Sequence, residues 1–345
     1  MLENRRILLL TDGHLGIFSS KTAACILRYR PREVVAILDR AYAGRDPAEV
    51  VGVGRGIPIV ASVEEAMRHQ PRSLLIGIAP TGGGLPDEWR QFLRDAIAHG
   101  LDLISGLHLM IADDPELGPL ARARGVAVHD VRRPPDGIPL GANLARGLPC
   151  KRVLVVGADC AIGKMVAALE LAEALLRRGR RARFIATGQT GIMLSGYGIA
   201  IDRVISDFVP GAVEKMLLEN QHHEVLVIEG QGSLIDPSYS GVTLSLVHGS
   251  APNAMVFCHQ PSRTRLIHHP GVPILPLPEL IDLYERITAP LFPSKVIGLA
   301  LNCVDLSDEA ARQAVARAEA ETGLPATDVV RFGPDKLADA IEAIL

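Results

Sequence analysis

Val153-Leu-Val-Val-Gly157-Ala-Asp-Cys-Ala-Ile-Gly163-Lys164-Met165 takes an apolar, strand-type run into a glycine-bounded loop, then a lysine, then the helical pattern Met165 to Arg178. This order of strand, glycine-rich loop, lysine and helix is the P-loop arrangement. Backbone N–H groups of such a loop, and of the helix N-terminus behind it, converge on phosphate oxygens. The Lys164 ammonium adds a mobile positive charge. Two details set the loop apart. Gly157 and Gly163 enclose five residues instead of four, and Met165 stands where a Ser or Thr would ligate magnesium. The stretch therefore reads as a phosphate site built from Gly157, Asp159, Cys160, Ala161, Ile162, Gly163, Lys164 and Met165. It argues much less for magnesium-dependent ATP hydrolysis, and no metal site is expected.

Outward from this stretch, short apolar strands alternate with helical patterns along the whole chain. Arg6–Thr11, Val34–Asp39, Ile57–Ala61, Leu74–Ile78, Leu101–Ser105 and Val126–Asp130 precede it. Val153–Val156, Arg183–Thr187, Val225–Glu229, Ala254–Cys258, Val296–Asn302 and Val329–Phe332 make the second set. Alternation of this kind implies parallel sheets covered on both faces. Arg132-Arg-Pro-Pro-Asp-Gly-Ile-Pro breaks the pattern between the sets. The expected fold is α/β, with a doubly wound Rossmann-like domain over 1–140 and a doubly wound P-loop NTPase-like domain over 141–345.

At 345 residues, with a net charge of −3 and 4% aromatic content, the chain lacks the basic surface and stacking platforms that nucleic-acid binding needs. No apolar run reaches membrane-spanning length. The five cysteines are scattered, with no C-x-x-C pair, which fits a reducing cytoplasm better than disulfides or a zinc ribbon. The expectation is a cytoplasmic protein acting on a small molecule, with no nucleic-acid or membrane partner.

Ligands of doubly wound sheets sit beyond the carboxyl ends of the strands. In the first half this rule selects Thr11 to Gly16 and Pro80 to Gly84, neither of which is a G-x-G-x-x-G fingerprint. Asp39 then reads either as a ribose acid or as a turn former before Arg40, and no NAD site follows. In the second half the rule selects the P-loop and three further loops: Thr187-Gly-Gln-Thr-Gly191 with its continuation to Asp207, Glu229-Gly-Gln-Gly-Ser233, and His259-Gln-Pro-Ser-Arg263. Glu229 ends an apolar strand, where a carboxylate acts as a metal ligand, a base, or a hydrogen-bond anchor for the P-loop. Gln189, Thr190 and Gln231 suit a polar substrate. His259 and Arg263 offer a base and an anion clamp, or simply structure. Cys160, beside Lys164 and a helix N-terminus, is expected to have a depressed pKa as a nucleophile, or else to be a small loop filler. His268-His269 reads as surface, and His222-His223 as the end of a helix.

Gly157–Met165 resembles the long P-loop of dethiobiotin synthetase, G-T-D-x-x-x-G-K-T. The chain is more similar to a DUF1611-type P-loop family with an N-terminal Rossmann-like domain. That family's pattern is G-T-D-C-x-x-G-K-M, T-G-Q-T-G, D-F-x-x-G-A, E-G-Q-G-S-L and Y-S-G-V-T. These motifs stand here, in order, at Gly157–Met165, Thr187–Gly191, Asp207–Ala212, Glu229–Leu234 and Tyr239–Thr243. Ala158 replaces the usual Thr, and Val166 stands where a Thr is frequent. The resemblance implies a D-glutamate N-acetyltransferase, with acetyl-CoA as co-substrate and its phosphates in the P-loop. Gln189, Thr190, Gln231 and Arg263 would then hold the acceptor, and Glu229, Asp207 or His259 would serve as base. The product would feed conversion of D-glutamate to L-glutamate. The N-terminal domain would shape the acceptor pocket or mediate a homodimer. Two other functions remain open: an ATP-dependent ligase or carboxylase of dethiobiotin-synthetase type, and a nucleotide-binding regulator. The ligase would need a lysine in the loop after the second strand, which Thr-Gly-Gln-Thr-Gly lacks.

Overall fold

Ile7–Leu10 (β1) is an unbroken apolar run with every side chain buried, as expected of a strand covered on both faces. A computed structural model describes residues 5–16, 19–78 and 84–345. Pro80 to Gly83, singled out above, lie outside the described residues. After β1 come Lys21–Tyr29 (α1), Val34–Leu38 (β2), Pro47–Val51 (α2), Ile59–Val60 (β3), Val63–Ala66 (α3) and Ser73–Ile76 (β4). Asp87–Ala98 (α4), Asp102–Ser105 (β5), Leu117–Arg124 (α5) and Val128–Asp130 (β6) follow. Their strands make one sheet in the order β3-β2-β1-β4-β5-β6, with each adjacent pair parallel. This is the dinucleotide-fold order. Trp89, Phe92, Leu93 and Ile97 of α4 pack on its central strands.

The second sheet begins with Lys151–Gly157 (β7). It continues through Lys164–Arg177 (α6), Ala182–Ile185 (β8), Gln189–Ser195 (α7), Val209–Glu219 (α8), Val225–Ile228 (β9) and Ser240–Ser250 (α9). Ala254–His259 (β10), Leu277–Thr288 (α10), Lys295–Leu301 (β11), Asp308–Thr322 (α11), Ala326–Thr327 (β12) and Asp335–Glu342 (α12) complete it. The strand order is β12-β11-β10-β7-β9-β8, again wholly parallel. The P-loop strand β7 thus lies inside the sheet, with β9 on one side and β10 on the other.

The chain divides into two compact units, 1–134 with 192–196, and 135–191 with 197–345. Helix α7 starts in the second unit and ends in the first. Within the first unit, Arg5 Nη1 donates to Met193 O (3.0 Å) and Arg30 Nε to Leu194 O (3.2 Å).

Two expectations are corrected, and one open alternative is decided. The last strand is Ala326–Thr327, not Val329–Phe332; there the Asp328 carboxylate receives the Val330 and Arg331 amides (both 3.0 Å) and makes a turn. His222-His223 lies beyond α8, which ends at Glu219. Asp39 has the turn-forming role, receiving the Thr11 hydroxyl (2.8 Å) and the Gly13 and Ala41 amides (2.9 and 3.1 Å).

Candidate functional site

Glycine decides how closely the P-loop lies against the sheet. A Cβ on Gly157 would come within 2.7 Å of Cys258 O, so only glycine lets the end of β7 lie against β10. Ala161 (φ +55°) and Gly163 (φ +102°) both take the left-handed conformation that turns successive amides to one side. For Ala161 this costs on the order of 1 kcal/mol, a strain the loop retains. Gly163 caps α6, whose first residue is Lys164. Lys164 is buried, and its Nζ donates to Asp159 O (2.6 Å). Burial lowers its pKa, while the Cys160, Cys258, Asp159 and Glu229 side chains act in the opposite sense.

Asp159 is fully buried and faces into the protein. One oxygen receives the Cys160 amide (2.7 Å); the other receives Arg263 Nη1 and the Ile267 amide (both 2.9 Å). The same Arg263 nitrogen donates to Cys160 O (2.6 Å). Asp159 and Arg263 therefore hold the loop from behind. Tyr284 of α10, missed in the sequence, supports the loop's start. Its buried hydroxyl donates to Gly157 O (3.0 Å) and accepts the Leu234 amide (3.1 Å), joining the P-loop to the loop after β9.

Glu229, the residue after β9, is buried. One oxygen receives the Thr187 and Gly188 amides (2.9 and 3.1 Å), and the other receives Gln231 Nε2 (3.3 Å). It thus anchors the loop after β8, where the sequence suggested the P-loop. Burial pushes its pKa up to about 7, outweighing those hydrogen bonds and Lys164. Gly230 is obligatory, because a Cβ there would sit 1.8 Å from Val155 O. Gln231 Nε2 also donates to Thr187 Oγ1 (3.2 Å), and Thr243 Oγ1 donates to Gln231 O (2.7 Å). Gln189 and Thr190, both half-buried, open α7.

Cys160 differs from expectation: its pKa is raised to about 12, because burial outweighs the attraction of Lys164. Its thiol donates to Asp236 Oδ2 (3.4 Å). Asp236, also missed, is fully buried, and its other oxygen receives the Ser238 and Tyr239 amides (2.8 and 3.3 Å). His269 is not merely surface: its Nε2 lies 2.8 Å from Ser238 Oγ and 3.6 Å from Asp236 Oδ1. His268 is exposed, edge-on to the Tyr239 ring. Asp159, Cys160 and Asp236 are close enough to share a metal ion, yet each already bonds within the protein.

His259, which ends β10, is held neutral because burial pushes its pKa down to about 4. Its Nδ1 is buried without a hydrogen-bond partner among the described residues. Asp207 is exposed in the turn Ser206–Phe208, and among the described residues no hydrogen bond or ion pair joins it to the P-loop. The P-loop residues, Glu229, Gln231 and Arg263 are thus tied together around the ends of β7 and β9. They combine a convergent set of amides, one buried ammonium, and one carboxyl that titrates near neutrality.

Known proteins resemble this chain along its whole length. The family model "Domain of unknown function (DUF1611_C) P-loop domain" matches residues 139–338, and the DUF1611_N Rossmann-like domain matches 40–134. A D-glutamate N-acetyltransferase from Tritonibacter scottomollicae is 37% identical over 350 residues, covering 100% of both chains. A second protein of that name, from a Pseudoalteromonas species, is 35% identical over 279 residues, 80% of this chain and 83% of its own. The crystal structure of a DUF1611 family protein from Anabaena variabilis superposes with a TM-score of 0.94 at 45% identity, covering 99% of this chain and 100% of its own.

Proposed function

The chain belongs to the DUF1611 family, and on that premise we propose that it is an acyltransferase moving acetyl from acetyl-CoA to the amine of D-glutamate. The observation that carries this reading is the full-length likeness to a D-glutamate N-acetyltransferase. The geometry is consistent with it. Amides of the P-loop and of the start of α6, with Lys164, suit the phosphates of CoA, which need no metal. Met165 and Val166 provide no hydroxyl for magnesium.

The acceptor amine arrives as an ammonium and must lose a proton before it can attack. Glu229, with its pKa near 7, is the carboxylate suited to take that proton at neutral pH. The neutral amine adds to the thioester carbonyl. The tetrahedral oxyanion is met by loop N–H groups, and the C–S bond then breaks. The leaving thiolate takes the amine's second proton, giving N-acetyl-D-glutamate and CoA. Gln231, Gln189, Thr190 and Arg263 are assigned to the acceptor's carboxylates. The product suits a route from D- to L-glutamate through the N-acetyl compound.

Release of CoA thiol from acetyl-CoA, with D- and L-glutamate as parallel acceptors and no ATP, tests this. Release that needs D-glutamate and is lost in Lys164→Ala is expected. No release with either acceptor, together with ATP turnover once magnesium is added, would establish a ligase instead.

A further inference from the structure

A linear donor gripped at its diphosphate by the central strand of a sheet must send its two ends to opposite sides. Here β7 holds the P-loop, and Glu229 and Gln231 follow its neighbour β9. If the acyl end reaches that side, the nucleoside end lies over β10 and β11. Neighbouring strands are about 4.8 Å apart, so a base falls one to two strands from the diphosphate.

The carboxyl ends of β10 and β11 hold polar groups with hydrogen-bonding capacity to spare among the described residues. Asn302 stands directly against the phosphate loop: its Nδ2 is 3.7 Å from where a Cβ on Gly163 would lie. Its amide N–H donates to His259 O (2.8 Å) and its Oδ1 receives the Val304 amide (3.3 Å), while Nδ2 has no partner among the described residues. Among the described residues His259 leaves a buried ring nitrogen unpaired. Asp305 is exposed, and its Oδ2 receives Gln260 Nε2 (3.2 Å) and the Ser262 hydroxyl, while its own backbone amide also serves the carboxylate. The amide donor of Asn302 and the carboxylate of Asp305, three residues apart in one loop, together complement the adenine edge, with its ring-nitrogen acceptor and exocyclic amine.

We propose that His259, Asn302 and Asp305, at the ends of β10 and β11, form the subsite for the nucleoside of the acyl donor, with Asn302 and Asp305 reading adenine. This rests on the acetyl-CoA reading above. It also gives His259 a task as a neutral polar group on the nucleoside side, away from the proton transfer at Glu229.

The test compares two donors, acetyl-CoA and S-acetyl-pantetheine, which lacks the nucleotide. In Asn302→Ala and Asp305→Ala, KM for acetyl-CoA is expected to rise roughly tenfold with kcat nearly unchanged, as one lost hydrogen bond would give. Both constants for S-acetyl-pantetheine should stay as in the wild type. Equal effects on both donors, or none on either, would overturn the subsite. Calorimetric titration with adenosine 3′,5′-bisphosphate and with pyrophosphate gives a readout independent of turnover. The wild type should bind the nucleotide more tightly than pyrophosphate, and both variants should lose that advantage. Should the wild type bind the nucleotide but release no CoA, the transferase reading fails while the subsite stands. Nucleotide binding no tighter than pyrophosphate would sink the subsite and leave the transferase intact.

Discussion

Glu229 shares one carboxyl between two tasks: it receives the Thr187 and Gly188 amides, and in the proposed reaction it takes the acceptor's proton. Its pKa near 7, against 4.5 in an unfolded chain, means the folded state holds that proton more tightly. The resulting stability is fully present below about pH 4.5 and is lost as pH rises through about 7. The Tm of the wild type should therefore fall more between pH 5 and 8 than that of Glu229→Gln. A parallel decline in both proteins would show that Glu229 is not the titrating group. In turnover the sign reverses, because the ionised form is the base. Here kcat/KM should climb with pH and level off above about 7, and Glu229→Gln should lose on the order of 100-fold or more. Cys160 leads to the opposite expectation from that of an activated nucleophile. With its pKa near 12 it stays a thiol at neutral pH, so iodoacetamide at pH 8 should label it slowly, and Cys160→Ser should keep activity within a few-fold. Rapid labelling that abolishes activity would restore the nucleophile.

The loops around the site depend on elements far away in sequence. Tyr284 reaches from α10 to both Gly157 and Leu234, so Tyr284→Phe leaves a buried carbonyl and a half-buried amide unpaired. A loss of about 1–3 kcal/mol in urea unfolding is expected, together with weaker donor binding as the P-loop loosens. The P-loop itself was legible because its determinants are local: two glycines, a lysine, an apolar strand before and a helix after. The loops after β8, β9 and β10 were legible for the same reason, each following a recognisable strand. Tyr284 gives no such signal, since it lies within an ordinary amphipathic helix more than a hundred residues from the carbonyl it holds. Asp236 carries no signal in the sequence, and His269 reads as surface there, because only folding brings Asp236 to Cys160 and His269 to Asp236. Helix α7 reads as loop in the sequence because Gln189-Thr-Gly-Ile-Met-Leu-Ser carries an interior glycine that weakens a helical reading. Helix α9 lacks a polar face to mark its period: Leu244, Leu246 and Val247 alternate with Ser, His and Gly.

Across the molecule, two wholly parallel sheets account for nearly all the strands expected from hydrophobic runs, and their carboxyl ends are where the candidate residues collect. No described helix is long and apolar enough to cross a membrane. Residues 192–196 cluster with 1–134, and within that unit Met193 and Leu194 are buried while Arg5 and Arg30 bond their carbonyls. A fragment comprising 135–345 should therefore expose Met193 and Leu194. It is expected to melt several degrees below the full chain and to aggregate more readily, as differential scanning calorimetry with light scattering would show. An equally stable, monomeric fragment would contradict this.

The division of α7 between the two units has a consequence for ancestry. Cutting the gene between the codons for Pro134 and Pro135 yields neither module whole, since each unit is completed by chain from both sides of the cut. Recombination that swapped one half for a foreign counterpart would bring in a mismatched 192–196 segment. Selection would then act against such chimaeras, so the two halves are expected to share a single phylogenetic history, with trees built from either half agreeing branch by branch.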